Sequence, residues 1–325
     1  MVGMEDNVVV ISRAGERSLP AELVRQVRER AAIDFVVRQH APGPQETARL
    51  LSRATVLATT NVTLPALDDE VLRRLPDLRR VVLLATGHEH VDDELLARHG
   101  VDLVTLPAYA TTAVAEHALG LVLTLATRAH LANDRSRGLV PTDTSLRGIE
   151  LGGRTLGIIG VGRIGTHLAR ISHGIGMQVI GSDIDADACT VAGAAGLEMT
   201  STDQLLTRSD VVAVCASTDR AHSTIVDARR VGLLREGAFL VNVGRPVLVD
   251  TGAVVAALRS RRLRGYGVDE VVLDPGGHAD LLMEGRALQT GHSAWWRDEA
   301  LERGATQFGQ AILDCLTEVA EERAA

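Results

Sequence analysis

Short apolar runs alternate with amphipathic stretches over the first 110 residues of the chain. Five of the apolar runs have the length and the branched side chains of strands that are buried on both faces. These runs are residues 8–11, 33–37, 55–58, 81–84 and 101–105. Helical spacing is found between them, at residues 21–30, 44–52, 69–75 and 92–99. This alternation predicts a doubly wound sheet of parallel strands.

A second series of the same kind begins after Gly153. Its predicted strands are residues 155–159, 178–182, 211–215, 239–242 and 266–268. A helix follows the first of these strands, and further helices are predicted at 203–208 and 250–259. An apolar helix at 111–128 and a polar loop at 133–148 separate the two series, and residues 298–322 form an amphipathic helix. The sequence therefore predicts two α/β domains, which also agrees with a length of 325 residues.

Composition excludes several classes of function. A net charge of -8 and an aromatic content of 2% argue against a nucleic-acid binder, which needs a basic surface and stacking platforms. All 34 basic residues are Arg, so chemistry that requires a lysine, such as a Schiff base or a P-loop, is excluded. The three cysteines fit no CxxC pattern, and neither a signal peptide nor a bilayer-spanning segment is expected. We therefore expect a cytoplasmic protein without a membrane partner.

The clearest motif is a GxGxxG turn that follows the apolar strand at 155–159. It contains Gly160, Gly162, Arg163, Ile164 and Gly165. In this context the first glycine permits a tight turn, the second lets a pyrophosphate approach the backbone, and the third lets helix and strand pack closely. The next strand ends in Asp183, where a carboxylate accepts hydrogen bonds from a ribose and repels a 2′-phosphate. The motif predicts a dinucleotide site that prefers NAD.

Two further positions are candidates for chemistry. Arg245 follows a buried strand, where its planar guanidinium suits a carboxylate; alternatively, a nearby acid such as Asp250 holds it. His292 lies beside both tryptophans, Trp295 and Trp296, and is either a general acid and base or a structural histidine.

Two acids follow the strand at 266–268. Asp269 ends the strand, and Asp274 lies five positions further on, before a proline. Asp274 could orient a histidine, and the alternative is that both acids stabilise turns. Nucleophilic catalysis by Ser223 or Cys215 is not expected, because neither has an evident base partner. A metal site is also not expected at His88 and His90, because the pair lacks a full ligand set.

In this order and spacing the motifs resemble the NAD-dependent D-2-hydroxyacid dehydrogenase family over nearly the whole chain. The resemblance includes Leu84–Asp92 (LATGHEHVD) for the substrate loop, Val114–His117 (VAEH), the glycine turn with Asp183, the Arg245 motif, Gly267–Asp269 and Thr290–His292. The LATG loop and the sequence HSAW after Gly291 are most similar to the glycerate dehydrogenase, or hydroxypyruvate reductase, branch.

The resemblance implies two domains with a cleft between them. A flavodoxin-like substrate domain comprises residues 1–108 and 294–325, and a Rossmann NAD-binding domain comprises 109–293. It also implies a homodimer that reduces a small 2-oxo acid with NADH to the D-2-hydroxy acid. Larger or charged 2-oxo acids, and a non-catalytic NADH-sensing protein, are the alternatives.

The resemblance also assigns roles to individual residues. Arg245 holds the substrate carboxylate, together with backbone N–H groups of Thr86, Gly87 and His88. His292 exchanges the proton with the substrate oxygen, and Asp274 pairs with His292. Trp295 contributes to the substrate pocket, and Asp269 lies near the nicotinamide carboxamide.

Several positions depart from the family pattern. Asp274 stands where Glu is usual, Pro246 and Gly291 replace Gly and Pro, and Leu106 and Ala108 replace Asn and Gly. These departures predict a weakened partner for His292, an extended backbone at Arg245 and a reshaped substrate pocket.

Overall fold

The computed structural model describes residues 6–218 and 224–324. The chain divides into two units, Met1–Ala110 with Asp298–Ala325, and Thr111–Arg297. The sequence placed the divisions after residue 108 and before residue 294. The predicted α/β class with two parallel sheets is confirmed, one sheet having five strands and the other seven.

The first unit contains a five-stranded parallel sheet whose strand order is β2-β1-β3-β4-β5. The strands are β1 (Asn7–Ser12), β2 (Ala32–Val37), β3 (Val56–Thr60), β4 (Arg80–Leu84) and β5 (Asp102–Thr105). The helices are α1 (Ala21–Arg28), α2 (Pro44–Leu50), α3 (Asp69–Leu72), α4 (Asp93–Arg98) and, from the end of the chain, α13 (Asp298–Ala324). This 2-1-3-4-5 order is that of flavodoxin-like folds.

Local sequence explains where these helices begin. Asp68 and Asp92 accept hydrogen bonds from the backbone N–H groups of Val71 and Leu95, and so cap the first turns of α3 and α4. Along α13, Phe308 and Ile312 are fully buried. The predicted amphipathic helix at 298–322 therefore forms and supplies part of the core of the first unit.

The second unit contains a seven-stranded parallel sheet with the order β12-β11-β10-β9-β6-β7-β8. Its strands are β6 (Thr155–Ile159), β7 (Gln178–Ser182), β8 (Glu198–Met199), β9 (Val211–Val214), β10 (Ala238–Asn242), β11 (Leu263–Val268) and β12 (Ala287–Gln289). Its helices are α5 (Thr111–Thr127), α6 (Ala129–Ser136), α7 (Arg163–Gly174), α8 (Ala186–Ala194), α9 (Thr202–Arg208), α10 (Ala228–Val231), α11 (Thr251–Arg259) and α12 (Ala279–Met283). Six of the strands have the 3-2-1-4-5-6 order of a Rossmann fold, and β12 extends it.

Some elements of the second unit were not predicted, namely β8, β12, α6, α8, α10 and α12. Most of them are short, and α6 overlaps the segment predicted as a polar loop. Arg128 has a left-handed backbone conformation, with φ of 57°, and so separates α5 from a second helix that starts at Ala129. Within the described residues, no helix is both long and apolar enough to cross a membrane.

Candidate active site

The glycine turn lies between β6 and α7, at the carboxyl edge of the second sheet. Gly160 has φ of 93°, and a β-carbon there would overlap the backbone of Ala216. A β-carbon at Gly165 would overlap the carbonyl oxygen of Gly160. At Gly162, in contrast, a β-carbon would meet nothing within 4 Å. Two glycines thus allow close packing, and the third leaves the backbone open for a ligand to approach.

The first turn of α7 faces the same opening. Gly162 is its N-cap, and Arg163 and Ile164 are its first residues. Arg163 is exposed, whereas Ile164 packs against the core. The hydroxyl of Thr166 donates to the carbonyl of Val161 at 2.8 Å and fixes the turn. An open backbone at the start of a 12-residue helix is suited to the pyrophosphate of a dinucleotide.

Asp183 lies beside this turn, at the end of β7. One carboxylate oxygen accepts from the N–H of Val161 at 2.8 Å, and the other accepts from the N–H of Asp185 at 3.0 Å. Asp185 in turn caps α8. The sequence prediction that a carboxylate adjoins the glycine turn therefore agrees with the structure, and the residues present fit a dinucleotide.

Arg245 follows β10 in a turn that is shaped by Asn242. The buried Asn242 side chain accepts from the N–H of Gly244 at 3.0 Å and donates to the carbonyl of Arg245 at 2.9 Å. Arg245 is half-buried and extended, with φ of -122° and ψ of 150°, as expected before Pro246. Asp250, one of the alternative partners named for Arg245, accepts from the N–H of Ala253 and caps α11.

His292 lies in the loop after β12. Residues 290–295 are called the His292 loop below. Gly291 and His292 both have left-handed backbones, with φ of 62° and 61°. The backbone N–H of His292 donates to the carbonyl of Asp269 at 2.9 Å, and its ring Nδ1 lies 2.7 Å from a carboxylate oxygen of Glu270. The ring is therefore paired with an acid, and 48% of the side chain is exposed.

This pairing corrects the expectation that Asp274 is the partner of His292. The Asp274 carboxylate instead accepts from the N–H of Gly277 at 2.7 Å and stabilises a turn. Asp has one methylene fewer than Glu, and its oxygens are held by a backbone donor within its own turn. Glu270, which directly follows Asp269, supplies the longer side chain that contacts the histidine.

Asp269 anchors the His292 loop. Its carboxylate is almost fully buried and accepts from the hydroxyl of Thr290 at 2.7 Å and from the N–H groups of Ser293 at 2.9 Å and Ala294 at 3.0 Å. The sequence placed this side chain near the nicotinamide carboxamide. In the structure, the hydrogen bonds of Asp269 fix the loop on both sides of His292.

His117, on α5, completes this arrangement. Its Nε2 lies 2.9 Å from the hydroxyl of Thr290 and 3.5 Å from the Asp269 carboxylate, and its Nδ1 lies 3.0 Å from the guanidinium of Arg297. Burial lowers the pKa of His117 and the nearby Arg297 lowers it further, against the opposing effect of Asp269. In the sequence, His117 stood out only as the last residue of the VAEH motif. The available signal for its role was its place on a helix that directly precedes the strands of the second sheet.

The remaining predicted site residues lie in two places. Trp295 is half-buried and packs edge-on against the exposed Trp296, with ring centroids 5.0 Å apart. In the first unit, the segment after β4 contains an exposed Thr86 and half-buried Gly87 and His88.

The candidate metal and nucleophile residues have other surroundings or are not described. His88 contacts Asp93 at 3.2 Å, and the described part of the chain brings no three possible metal ligands together. Burial raises the pKa of the Cys215 thiol to about 12, which does not suit a nucleophile. Ser223 lies outside the described residues.

Comparison with known proteins agrees with this geometry. Residues 119–294 match the model of the D-isomer specific 2-hydroxyacid dehydrogenase NAD-binding domain. A 2-hydroxyacid dehydrogenase homolog from Zymomonas mobilis is 33% identical over 75% of this chain and 79% of its own length. A D-lactate dehydrogenase from Curvularia clavata is 32% identical over 81% of this chain and 78% of its own.

More distant comparisons extend over most of the chain. A glycerate dehydrogenase from Methylorubrum extorquens is 28% identical, over 82% of this chain and 83% of its own. The crystal structure of the TT0316 protein from Thermus thermophilus superimposes with a TM-score of 0.81 at 28% identity, covering 96% of this chain and 97% of that one.

The chain belongs to the D-isomer specific 2-hydroxyacid dehydrogenase family. It is thus an NAD(P)-dependent enzyme of 2-hydroxy and 2-oxo acids.

Proposed function

We propose that the enzyme reduces a small 2-oxo acid to the D-2-hydroxy acid with NADH, and that hydroxypyruvate and glyoxylate are its substrates. The observation that carries this proposal is the His292–Glu270 pair at 2.7 Å. The pair follows β11 and β12, at the same sheet edge as the Arg245 turn and the glycine turn. An acid–base group, a carboxylate receptor and a dinucleotide turn are the parts that this reduction requires.

Arg245 binds the substrate carboxylate. A guanidinium offers two parallel N–H donors to a carboxylate and stays charged at every physiological pH. Asn242 holds the backbone on both sides of this residue, so the long side chain starts from a fixed point. The same charge polarises the neighbouring 2-oxo group and stabilises negative charge that develops on its oxygen.

His292 supplies the proton. A nicotinamide cofactor would supply the hydride for the 2-oxo carbon, and the carbonyl oxygen would take its proton from His292. The Glu270 carboxylate beside Nδ1 orients the ring, which leaves Nε2 to donate to the substrate oxygen. In the direction of oxidation, the neutral ring takes the proton back. Glu270 thus performs the task that the sequence assigned to Asp274.

NADH, rather than NADPH, is the proposed cofactor. The Asp183 carboxylate is held against the glycine turn by two backbone N–H groups, and Asp185 and Asp187 follow it. Their negative charges repel a 2′-phosphate, whereas the free lone pairs of Asp183 accept hydrogen bonds from ribose hydroxyls. The glycine turn and the first turn of α7 bind the pyrophosphate.

The substrate preference follows from the residues that resemble the glycerate dehydrogenase branch. By this resemblance the backbone N–H groups of Thr86, Gly87 and His88 in the LATG segment bind the carboxylate, and Trp295 contributes to substrate binding. Leu106 is buried and Ala108 is exposed, and these two departures are the positions that would favour a larger acid. By the same resemblance we propose a homodimer that is located in the cytoplasm. Light scattering of the purified protein checks the dimer.

The test follows the absorbance of NADH with a panel of hydroxypyruvate, glyoxylate, pyruvate, phenylpyruvate and phosphorylated 2-oxo acids, with NADPH in parallel. We expect rapid NADH consumption with the first two acids. Glu270→Gln lowers kcat by roughly 10- to 100-fold, since it removes the carboxylate that orients the general acid, whereas the matched variant Asp274→Asn stays within about twofold of the parent.

Each other outcome overturns part of the proposal. Turnover of large or charged acids alone would replace the proposed substrate. NADH binding without any turnover would indicate a sensor rather than an enzyme. A loss of activity in Asp274→Asn, with an unaffected Glu270→Gln, would return the pairing role to Asp274.

A further inference from the structure

We propose that His117 is a positioning residue for His292, acting through a hydrogen-bond relay that runs from Arg297 through His117 and Thr290 to Asp269. This inference rests on the proposed function, because it assigns a support to the proposed acid–base group. His117 lies on α5, and Thr290 and His292 lie in the His292 loop after β12. The relay therefore connects this loop to a different element of the second unit.

The direction of every hydrogen bond in the relay is determined by its ends. A guanidinium only donates, so Nδ1 of His117 accepts from Arg297 at 3.0 Å. The neutral ring then carries its proton on Nε2, which donates to the hydroxyl of Thr290 at 2.9 Å. The hydroxyl donates onward to the Asp269 carboxylate at 2.7 Å. One tautomer of one histidine satisfies all three contacts.

Asp269 connects the relay to His292 through its hydrogen bonds to the His292 loop. Besides Thr290, its carboxylate holds the N–H groups of Ser293 and Ala294, and its carbonyl accepts from the N–H of His292 itself. His292 has a left-handed backbone, which is unfavourable for a residue with a β-carbon. The hydrogen bonds on both sides of it hold that conformation, and so they set the position of the ring.

Charge around His117 keeps the relay in its neutral form. Its side chain is 11% exposed. Arg297 faces Nδ1, Asp269 faces Nε2, and Glu116 adjoins it on α5. The Glu270–His292 pair lies on the same sheet edge. Burial lowers the pKa of His117, so the ring stays neutral at physiological pH. A proton on Nδ1 would face the guanidinium and break the first bond of the relay.

The test compares variants that keep or remove the hydrogen bonds. His117→Phe keeps a ring without polar atoms, whereas His117→Gln keeps one donor and one acceptor. Thr290→Val removes the hydroxyl at constant shape, and Thr290→Ser restores it. His99→Gln is the control, because His99 forms a comparable contact of 2.9 Å with Asp69 in the first unit.

We expect His117→Phe and Thr290→Val to lower kcat about tenfold, since a small displacement of a reacting group costs up to roughly 100-fold. The KM for NADH stays within about twofold, and at neutral pH the kcat values of His117→Gln, Thr290→Ser and His99→Gln equal that of the parent. The decline of the parent's kcat at acidic pH that follows protonation of His117 is absent in His117→Gln.

A second readout does not depend on turnover. Both tryptophans of the chain, Trp295 and Trp296, adjoin or belong to the His292 loop, so acrylamide quenching of their fluorescence reports its order. We expect increased quenching in His117→Phe and Thr290→Val alone. Parent-like quenching and kcat in both of these variants would overturn the relay, as would a loss that His117→Gln and Thr290→Ser fail to restore. If no 2-oxo acid is consumed, the proposed function fails, and quenching still decides the relay.

Discussion

The two sheets of the molecule reverse their strand order at comparable points, but only one of these points is open. The reversal lies between β1 and β3 in the first unit and between β6 and β9 in the second. Ligands of doubly wound sheets bind at this position, outside the carboxyl ends of the strands. In the second unit the glycine turn leaves the backbone at Gly162 uncovered.

In the first unit a threonine cluster closes the corresponding point. The fully buried hydroxyl of Thr63 donates to the carbonyl of Ile11, at the end of β1, at 2.8 Å. It also lies 3.0 Å from the hydroxyl of Thr59 and 2.9 Å from that of Thr60, at the end of β3. The two related topologies thus differ at this point, because hydrogen-bonded threonine side chains surround it in the first unit and the glycine turn leaves backbone uncovered in the second.

Adding a single methyl group where α7 packs closely against the glycine turn has the largest expected effect. In Gly165→Ala the new β-carbon would overlap the carbonyl oxygen of Gly160, so α7 must move away from β6. We expect a loss of roughly 3 kcal/mol in the free energy of unfolding and at least about a tenfold weaker affinity for NADH, measured by fluorescence titration. Gly193→Ala, on α8 and with nothing within 4 Å, is the control and stabilises by about 0.5 kcal/mol. Equal NADH affinity in both variants would contradict the role of close packing.

Removing one hydroxyl from the threonine cluster has a smaller expected effect, which is confined to the free energy of unfolding. Thr63→Val removes the hydroxyl and leaves the carbonyl of Ile11 buried without this donor, which costs about 1–2 kcal/mol. Hydrogen exchange should increase in peptides that cover β1 and β3, while the NADH affinity stays at the parent value. A weaker NADH affinity in Thr63→Val would show that the threonine cluster of the first unit influences NADH binding by the second.

The pH dependence of the free energy of unfolding gives the smallest expected difference between parent and variant, and it concerns the second unit. Because the pKa of His117 is lowered in the folded state, the unfolded chain binds more protons as pH falls below about 6.5. The contribution of His117 to stability is therefore present above that pH and is lost as pH falls towards the folded pKa. Urea unfolding followed by tryptophan fluorescence should show a flatter acidic limb in His117→Gln. The same limb in parent and variant would be contrary to this assignment.

Periodicity sufficed for much of the fold, because the central strands are continuous apolar runs. β6 and β7 have the bounds that the sequence predicted. The short edge strands β8 and β12 were missed, since two or three residues carry no detectable period. The start of α6 depends on one left-handed residue, Arg128, that no pattern of polarity specifies.

The candidate site could be predicted at the level of sheet edges but not of partners. The glycine turn, Asp183, Arg245 and His292 all follow strands and lie where parallel topology places them. The partner of His292 could not be deduced in this way. Spacing favoured Asp274, whereas the left-handed backbone of Gly291 and His292 and the length of the Glu270 side chain bring that carboxylate to the ring.

The return of α13 to the first unit has a consequence for biosynthesis. α13 packs against α1, β3 and β4, where a β-carbon at Gly309 would overlap Leu23, and Arg323 forms an ion pair with Asp6 at 2.9 Å. On the ribosome, the sheet that is synthesised first therefore lacks part of its cover until residues 298–324 have emerged. The second unit, which is continuous in sequence, has all its strands by residue 289. The order of completion is thus the reverse of the usual N-terminal-first order of domain folding.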